Sequence, residues 1–418
     1  MDRPHSQGRP HARGAAGSRR PRASTAGSGS WRHELDGTWL AELSGRTDPF
    51  GYVAVYADAD PWQQSTGRPG WAIAVEHQLR ALESDIRSHG PRAELVAFRA
   101  CREEIRPRLD ELLDARLQGR GRALFVPVSE PDRVEKVALQ LELPTRVVYA
   151  PHPHVRPLLG ALEDGRPAGV VLVTRAGIRV IDVAFGFGRE LLSVELGELE
   201  EDWREMQGPA GGNPQLSQQT APQHDRYRRR IADARTHALG SHAGELSGIA
   251  AERGWEQVVL AGDPRLTAAL APALAAPGRE LVALDRVVAG EPAEVAEVFA
   301  ADLAAARRRC QAALVERLLS AVHGRPARAV IGLAETLAAL ADARVEHLVL
   351  DLEASYPGAV TEDGRLLPEG AAAAGTSPSD LTDGMIRVAL AAGARVTPVE
   401  DAAGRLMTPD GVAAFTHW

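Results

Sequence analysis

Short β-branched runs alternate with stretches of helical period along most of this chain, and that alternation restricts it to α/β architectures. Tyr52-Val53-Ala54-Val55-Tyr56, residues 122–128 and residues 145–149 read as strands. So do residues 169–174, 177–183, 257–263, 280–284, 345–350 and 395–398, with a closing strand around 411–415. Between them, helical spacing covers about 71–88, where Ile73, Leu79, Leu82 and Ile86 form one face, and about 98–117. It resumes from about 223 to 253 and from Pro264. A long helix follows, with Val295, Val298, Phe299, Leu303, Leu314, Leu318 and Leu319 in register. Shorter helices are expected at 329–341 and 380–392, with an Ala/Gly/Glu-rich loop at 361–377.

A chain of 418 residues is too long for one ordinary domain. Residues 1–30 hold Arg3, Arg9, Arg13, Arg19, Arg20 and Arg22 against the single acid Asp2, with no apolar pattern, and read as a disordered basic tail. An N-terminal α/β domain is expected over 31–160. It ends where Pro151, Pro153 and Pro157 make a hinge, with His152 and His154 between them lacking a third metal ligand. A middle domain is expected over 165–288, opening with a hairpin turned at Arg175-Ala176-Gly177. A C-terminal helix–strand sandwich is expected over 290–418.

Composition excludes several classes. No apolar run approaches the ~18 residues a membrane span needs, and the N-terminus has no apolar signal region. Cys101 and Cys310 make neither a disulfide framework nor a metal knuckle, so a reduced, cytoplasmic setting with no metal and no cofactor is expected. A net charge of −8 argues against a protein that coats DNA or RNA non-specifically. Lys136 is the only lysine, so the basic charge is arginine, the better fork for phosphate.

The constellation that can carry chemistry is a glycine loop ahead of a basic helix. Gly211 and Gly212 let the backbone approach a substrate closely, with Pro209 and Pro214 limiting how the loop closes. Arg226, Arg229 and Arg230 share one helical side by their spacing. Such a unit can enter an RNA cavity, with arginines on phosphates and glycines at the tip; a solvated linker before a charged helix face is the plainer alternative. Gly186-x-Gly188 follows a hairpin and opens no helix, so it lacks the context of a dinucleotide loop. No phosphate-binding P-loop, nucleophile elbow or zincin motif is present in the sequence. Asp263-Pro264 reads as a helix cap rather than a catalytic carboxylate, and Asp351 with Glu353 as solvated acids.

The layout resembles the bacterial relatives of archaeal and eukaryotic class-I release factors and Pelota. Vms/Ankzf-type peptidyl-tRNA hydrolases are similar in the middle domain, and Balon-type hibernation factors in the whole arrangement. The resemblance covers most of 49–418. It rests on Pro49 to Tyr56, Arg120-Gly121-Arg122-Ala123-Leu124-Phe125, the hairpin 170–183 with the glycine loop and arginine helix, and Gln257 to Arg265. In the last third it rests on Ala334 to Leu340, Val345 to Leu350 and Asp410 to Phe415.

The family implies an RNase H-like middle domain carrying Gly-Gly-Gln into the peptidyl-transferase centre. It also implies a C-terminal α/β/α sandwich similar to release-factor domain three, which contacts partners such as a translational GTPase. Here Gly211 and Gly212 match, but Asn213 stands where the family has glutamine, and Pro214 follows. Asparagine is one methylene short, and a displacement of about 1 Å in a water-orienting group can cost on the order of a hundredfold. Gln215 substitutes only if the loop shifts register.

Three readings follow. The first is a ribosome-associated, A-site-binding hibernation or stress factor without hydrolysis. The second is a peptidyl-tRNA hydrolase that rescues stalled ribosomes, using Asn213 or Gln215. The third is a non-ribosomal stress protein binding a small molecule or a protein.

Overall fold

The computed structural model describes residues 30–60, 69–114, 116–195, 236–324, 328–361, 363–371, 376–406 and 410–417. Nearly all of the tail, the glycine loop and Arg226, Arg229 and Arg230 lie outside those residues. Strands and helices alternate through the described parts and gather into four sheets, so the chain is α/β.

The first sheet contains β1 (Tyr52–Asp58), β2 (Gly121–Pro127), β3 (Glu135–Leu139) and β4 (Arg146–Ala150), in the order β3-β2-β1-β4. All its pairings are antiparallel. One face packs on the helices Gly70–His89, Arg92–Glu104 and Arg106–Leu112, through Val53, Val55, Leu124 and Val126. The single helix expected at 98–117 is therefore two. The chain turns at Ile105, where Pro107 cannot continue the preceding hydrogen-bond ladder. The helix Gly70–His89 buries Trp71, Val75, Leu79 and Ile86, whereas Ile73 is 56% exposed and does not belong to that face.

Arg120 and Arg122 stand on either side of Gly121 in sequence, where β2 begins. Arg120 pairs with Asp58 through two nitrogens, at 2.8 and 3.1 Å. Arg122 is buried, and its guanidinium donates to the carbonyls of Leu112, Asp114, Leu117 and Gly119 at 2.6–3.0 Å. Those carbonyls follow the end of the helix Arg106–Leu112, where no intrahelical donors remain, so one arginine closes the helix and its following loop. Lys136 is also buried, on β3, against Glu111 and the Trp31 ring.

The middle sheet is built from β5 (Ala168–Val173), β6 (Gly177–Ala184), β7 (Phe187–Glu195), β8 (Gln257–Gly262) and β9 (Glu280–Leu284), in the order β7-β6-β5-β8-β9. The β5–β8 and β8–β9 pairings are parallel, while β6 runs antiparallel to both of its neighbours. Numbered within this sheet, the order is 3-2-1-4-5 with the second strand reversed, which is the RNase H-like arrangement. Helices at Ala243–Glu252 and Pro264–Leu274 cover one face through Leu246, Ala250, Leu266 and Leu270.

The last sheet holds β10 (Ala329–Ile331) and β11 (Val345–Leu350). Then come β12 (Pro357–Thr361), β13 (Leu366–Pro368) and β14 (Thr376–Asp380), which form a small sheet of their own, before β15 (Arg395–Pro398) and β16 (Val412–Thr416) return. The main order is β10-β16-β11-β15 and the small one β13-β12-β14. The small sheet replaces the loop expected at 361–377. The helix expected at 329–341 begins only at Leu333, because Gly332 at φ +99° breaks the chain after a three-residue strand.

Helices at Leu333–Ala341 and Thr382–Ala391 lie on one face of this sheet and the end of the helix Pro292–Val322 on the other, giving an α/β/α sandwich. That helix of 31 residues is about 46 Å long. Its first half buries Val295, Phe299 and Leu303 on the middle sheet, and its second half buries Leu314, Val315 and Leu318 on the last sheet. Val298, placed on the same face by period alone, is 44% exposed.

Candidate functional site

The glycine loop sits in the crossover between β7 and β8, and the topology fixes where that crossover leaves the sheet. Glu195 at the end of β7 pairs with Gly177, and Ile178 beside it pairs with Val173 at the end of β5. Val173 in turn pairs with Gly262 at the end of β8. Glu195, the 174–177 turn and Gly262-Asp263 therefore share one edge, the carboxyl edge of the parallel strands. Open α/β sheets place their working loops at that edge. The chain returns through helical residues 236–241 and the helix Ala243–Glu252, which runs back toward the opposite edge, where β8 starts.

Gly211, Gly212, Asn213, Gln215, Arg226, Arg229 and Arg230 all fall within 196–235, outside the described residues. What the structure describes is their base. Thr174 Oγ1 accepts hydrogen bonds from the Ala176 and Gly177 amides at 3.2 and 3.3 Å and closes the hairpin turn. Gly262 has φ +139°, and a Cβ there would overlap the Val173 carbonyl oxygen, so only glycine fits. Asp263 Oδ1 accepts from the Arg265 amide at 2.9 Å, with Pro264 opening the helix, so this carboxylate is the cap its sequence suggested.

Two side chains at this edge escaped the sequence reading. Arg175 and Arg265 are both exposed there, and neither has a carboxylate within ion-pair distance among the described residues. The available signal was a basic residue inside each turn signal at a strand's carboxyl end, but each turn already explained itself as a turn.

At the opposite edge the returning helix is locked to the sheet. Asp182 on β6 is buried, accepts from the Trp255 indole Nε1 at 2.7 Å and pairs with Arg253. The hydrogen bond to Asp182 raises the Arg253 pKa above its ordinary value. Trp255 lies flat over Gly169, where any Cβ would overlap the indole. His152 and His154 do not converge: His152 Nδ1 lies 3.1 Å from the Arg46 carbonyl, and His154 Nδ1 lies 2.8 Å from Asp383 Oδ2. Among the described residues no group of three or more His, Cys, Asp or Glu side chains could hold a metal, and no helix is long and apolar enough to cross a membrane. Cys101 and Cys310 are both free.

Residues 153–307, which contain the whole middle sheet and the crossover, match the family model of Bacterial archaeo-eukaryotic release factor family 10. The middle of the chain belongs to the bacterial archaeo-eukaryotic release factor family. The chain is also similar to the uncharacterized protein YocB of Bacillus subtilis (strain 168), at 22% identity over 215 residues, 51% of this chain and 78% of YocB. Among solved structures, S. cerevisiae Dom34 aligns at 9% identity and a TM-score of 0.36, covering 65% of this chain and 69% of Dom34. Archaeoglobus fulgidus Pelota aligns at 14% identity and a TM-score of 0.32, covering 71% of this chain and 79% of Pelota.

Proposed function

We propose that this chain associates with the ribosome and occupies the A site as a hibernation or stress factor, with the Gly211-Gly212 tip directed at the peptidyl-transferase centre and no hydrolysis. In this reading 31–160, 165–288 and 290–418 act as N-terminal, middle and C-terminal domains, and a translational GTPase is the partner of the last. The observation that carries the reading is positional. The family match spans a crossover that leaves the carboxyl edge of an RNase H-like sheet and holds two adjacent glycines followed by Arg226, Arg229 and Arg230.

Arg175 and Arg265 flank the exit of that crossover and extend the basic surface toward RNA phosphate. Occupancy needs shape and arginines alone. Hydrolysis needs an oriented water, and Asn213 with Pro214 after it removes the group the family uses for that. The experiment is sedimentation of the full chain with ribosomes at low salt. The chain is expected in the ribosomal pellet, and Arg229→Ala with Arg230→Ala is expected to release it. Recovery of wild type only in the ribosome-free fraction contradicts the reading.

Gln215 supports a second reading, peptidyl-tRNA hydrolysis, because a glutamine stands two positions beyond the asparagine. Peptide release from stalled complexes that Gln215→Ala abolishes would establish it. Absence of release above background removes it.

A further inference from the structure

A second basic feature lies at the edge of the middle sheet opposite the one where the β7–β8 crossover leaves it. A cleft of about 960 Å³ opens between the starts of β8 and β9, the middle of the long helix, and strands β11 and β15. That volume suits a small molecule. Its lining is charged, and the charges do not balance. Arg166 and Arg395 share two carboxylates, Glu163 and Glu256, with nitrogen–oxygen distances of 3.0–3.8 Å. Arg309 pairs with Glu280 at 2.6 Å.

The remaining arginines of the cleft have no carboxylate within ion-pair distance among the described residues. Arg279 is spent on the Trp255 and Leu274 carbonyls, at 2.9 Å each. Arg307 reaches the Arg166 carbonyl only at 3.5 Å, and its Nε is buried with no partner among the described residues. Arg317 is exposed at the cleft wall. His347, on β11 beside β15, lies 2.8 Å from Thr397 Oγ1 through Nε2. Burial first, then Arg395, Arg166 and Arg317, hold its pKa down to about 3. The site is therefore electropositive around an imidazole that stays neutral.

We propose that this cleft binds a compact phosphate-bearing anion the size of an inorganic di- or triphosphate group, held by Arg317 and Arg307 with Arg166 and Arg395 closing around it. Guanidinium forks match phosphate oxygens in geometry as well as charge. The ligand is small because Glu163, Glu256 and Glu316 interrupt the basic surface, and a long polyanion laid across it would meet them. Recognition is by phosphate rather than by base, because no Phe, Tyr or Trp lines the cleft among the described residues. Arg395 belongs to the last sheet and Arg166 follows the helix before the middle sheet, so a bound anion would tie the two together.

The experiment is calorimetric titration of the full chain with inorganic tripolyphosphate, with citrate, and with a short single-stranded RNA. Tripolyphosphate is expected to bind saturably. Arg317→Glu, an exposed position that leaves the core intact, is expected to weaken it by roughly tenfold or more. Arg175→Glu, at the other edge of the sheet, is expected to leave it unchanged. The His347 imidazole, followed by NMR, is expected to titrate at higher pH when the site is filled, because the anion offsets its three cationic neighbours. Absence of saturable binding, equal affinity for citrate, indifference to Arg317→Glu, or tighter binding of RNA through the same arginine would each overturn the proposal. Failure of tripolyphosphate binding leaves the ribosome reading standing, because that reading is tested separately through Arg229 and Arg230.

Discussion

Asp182 accepts the Trp255 indole hydrogen at 2.7 Å from inside the middle sheet, and the same carboxylate pairs with Arg253 two residues before that tryptophan. The pair joins a buried strand to the residues that end the returning helix, so it sets where the crossover re-enters the sheet. A buried carboxylate is tolerated only because both of its oxygens are occupied.

Asp182→Ala is therefore expected to cost about 3 kcal/mol, because it strands the indole donor and the Arg253 guanidinium together. Asp182→Asn keeps an acceptor for the indole and is expected to cost less, about 1–2 kcal/mol. Urea unfolding followed by Trp fluorescence measures both. Equal losses for the two variants would show that the charge, and not the acceptor, carries the interaction.

Arg122→Lys tests the capping of the helix Arg106–Leu112. A lysine ammonium has three donors on one atom and cannot reach four carbonyls that surround a planar fork. The first sheet is expected to lose about 2–3 kcal/mol, since each stranded buried carbonyl costs about 1 kcal/mol or more. An unchanged denaturation midpoint would mean that water replaces the fork at no cost.

Gly262→Ala is expected to be more damaging than either. The residue sits at φ +139° with its α-hydrogen against the Val173 carbonyl, so a methyl group must push β8 away from β5. Loss of soluble folded protein, or a destabilisation above about 3 kcal/mol, is the expected outcome. A near-neutral substitution would show that the strand ends part freely.

The pH dependence has a defined direction at His347. Its pKa falls from 6.5 to about 3 on folding, so the unfolded chain binds the proton first as pH drops. The His347 contribution thus lowers stability as pH falls from about 6.5 toward about 3, and is flat above that window. His347→Gln removes the titrating group and is expected to flatten the stability profile in that window. An unchanged slope would mean that carboxylates alone set the acid limb.

The fold was legible wherever the signal was local. The strands at 52–56, 169–174, 257–263 and 345–350, the Asp263 cap and the hairpin at 175–177 were all readable from period and turn chemistry. The misses have physical causes. Ile105 ends a helix whose apolar period runs on past it, and Gly332 separates a strand from a helix that share one apolar run. The sheet at 357–380 forms by pairing β12 with partners on both sides, which no local pattern records. The long helix showed its period, but one period cannot reveal that its two halves face two different sheets. Of the site, the glycines and arginines were visible as residue types. The edge at which the β7–β8 crossover leaves the sheet, beside Arg175 and Arg265, and the cleft that gathers Arg166, Arg307, Arg317 and Arg395, depend on strand order, which the sequence does not display.

Ribosome binding is expected to depend on the crossover between β7 and β8. Sedimentation of the full chain through sucrose with bacterial ribosomes, at low and then raised salt, tests it most directly. Wild type is expected to travel with the ribosomes at low salt and to leave as salt rises, since phosphate contacts release counterions. Arg229→Ala with Arg230→Ala is expected to remain at the top of the gradient under both conditions. Wild-type protein that stays at the top at low salt, or the double variant sedimenting as wild type does, would contradict the account.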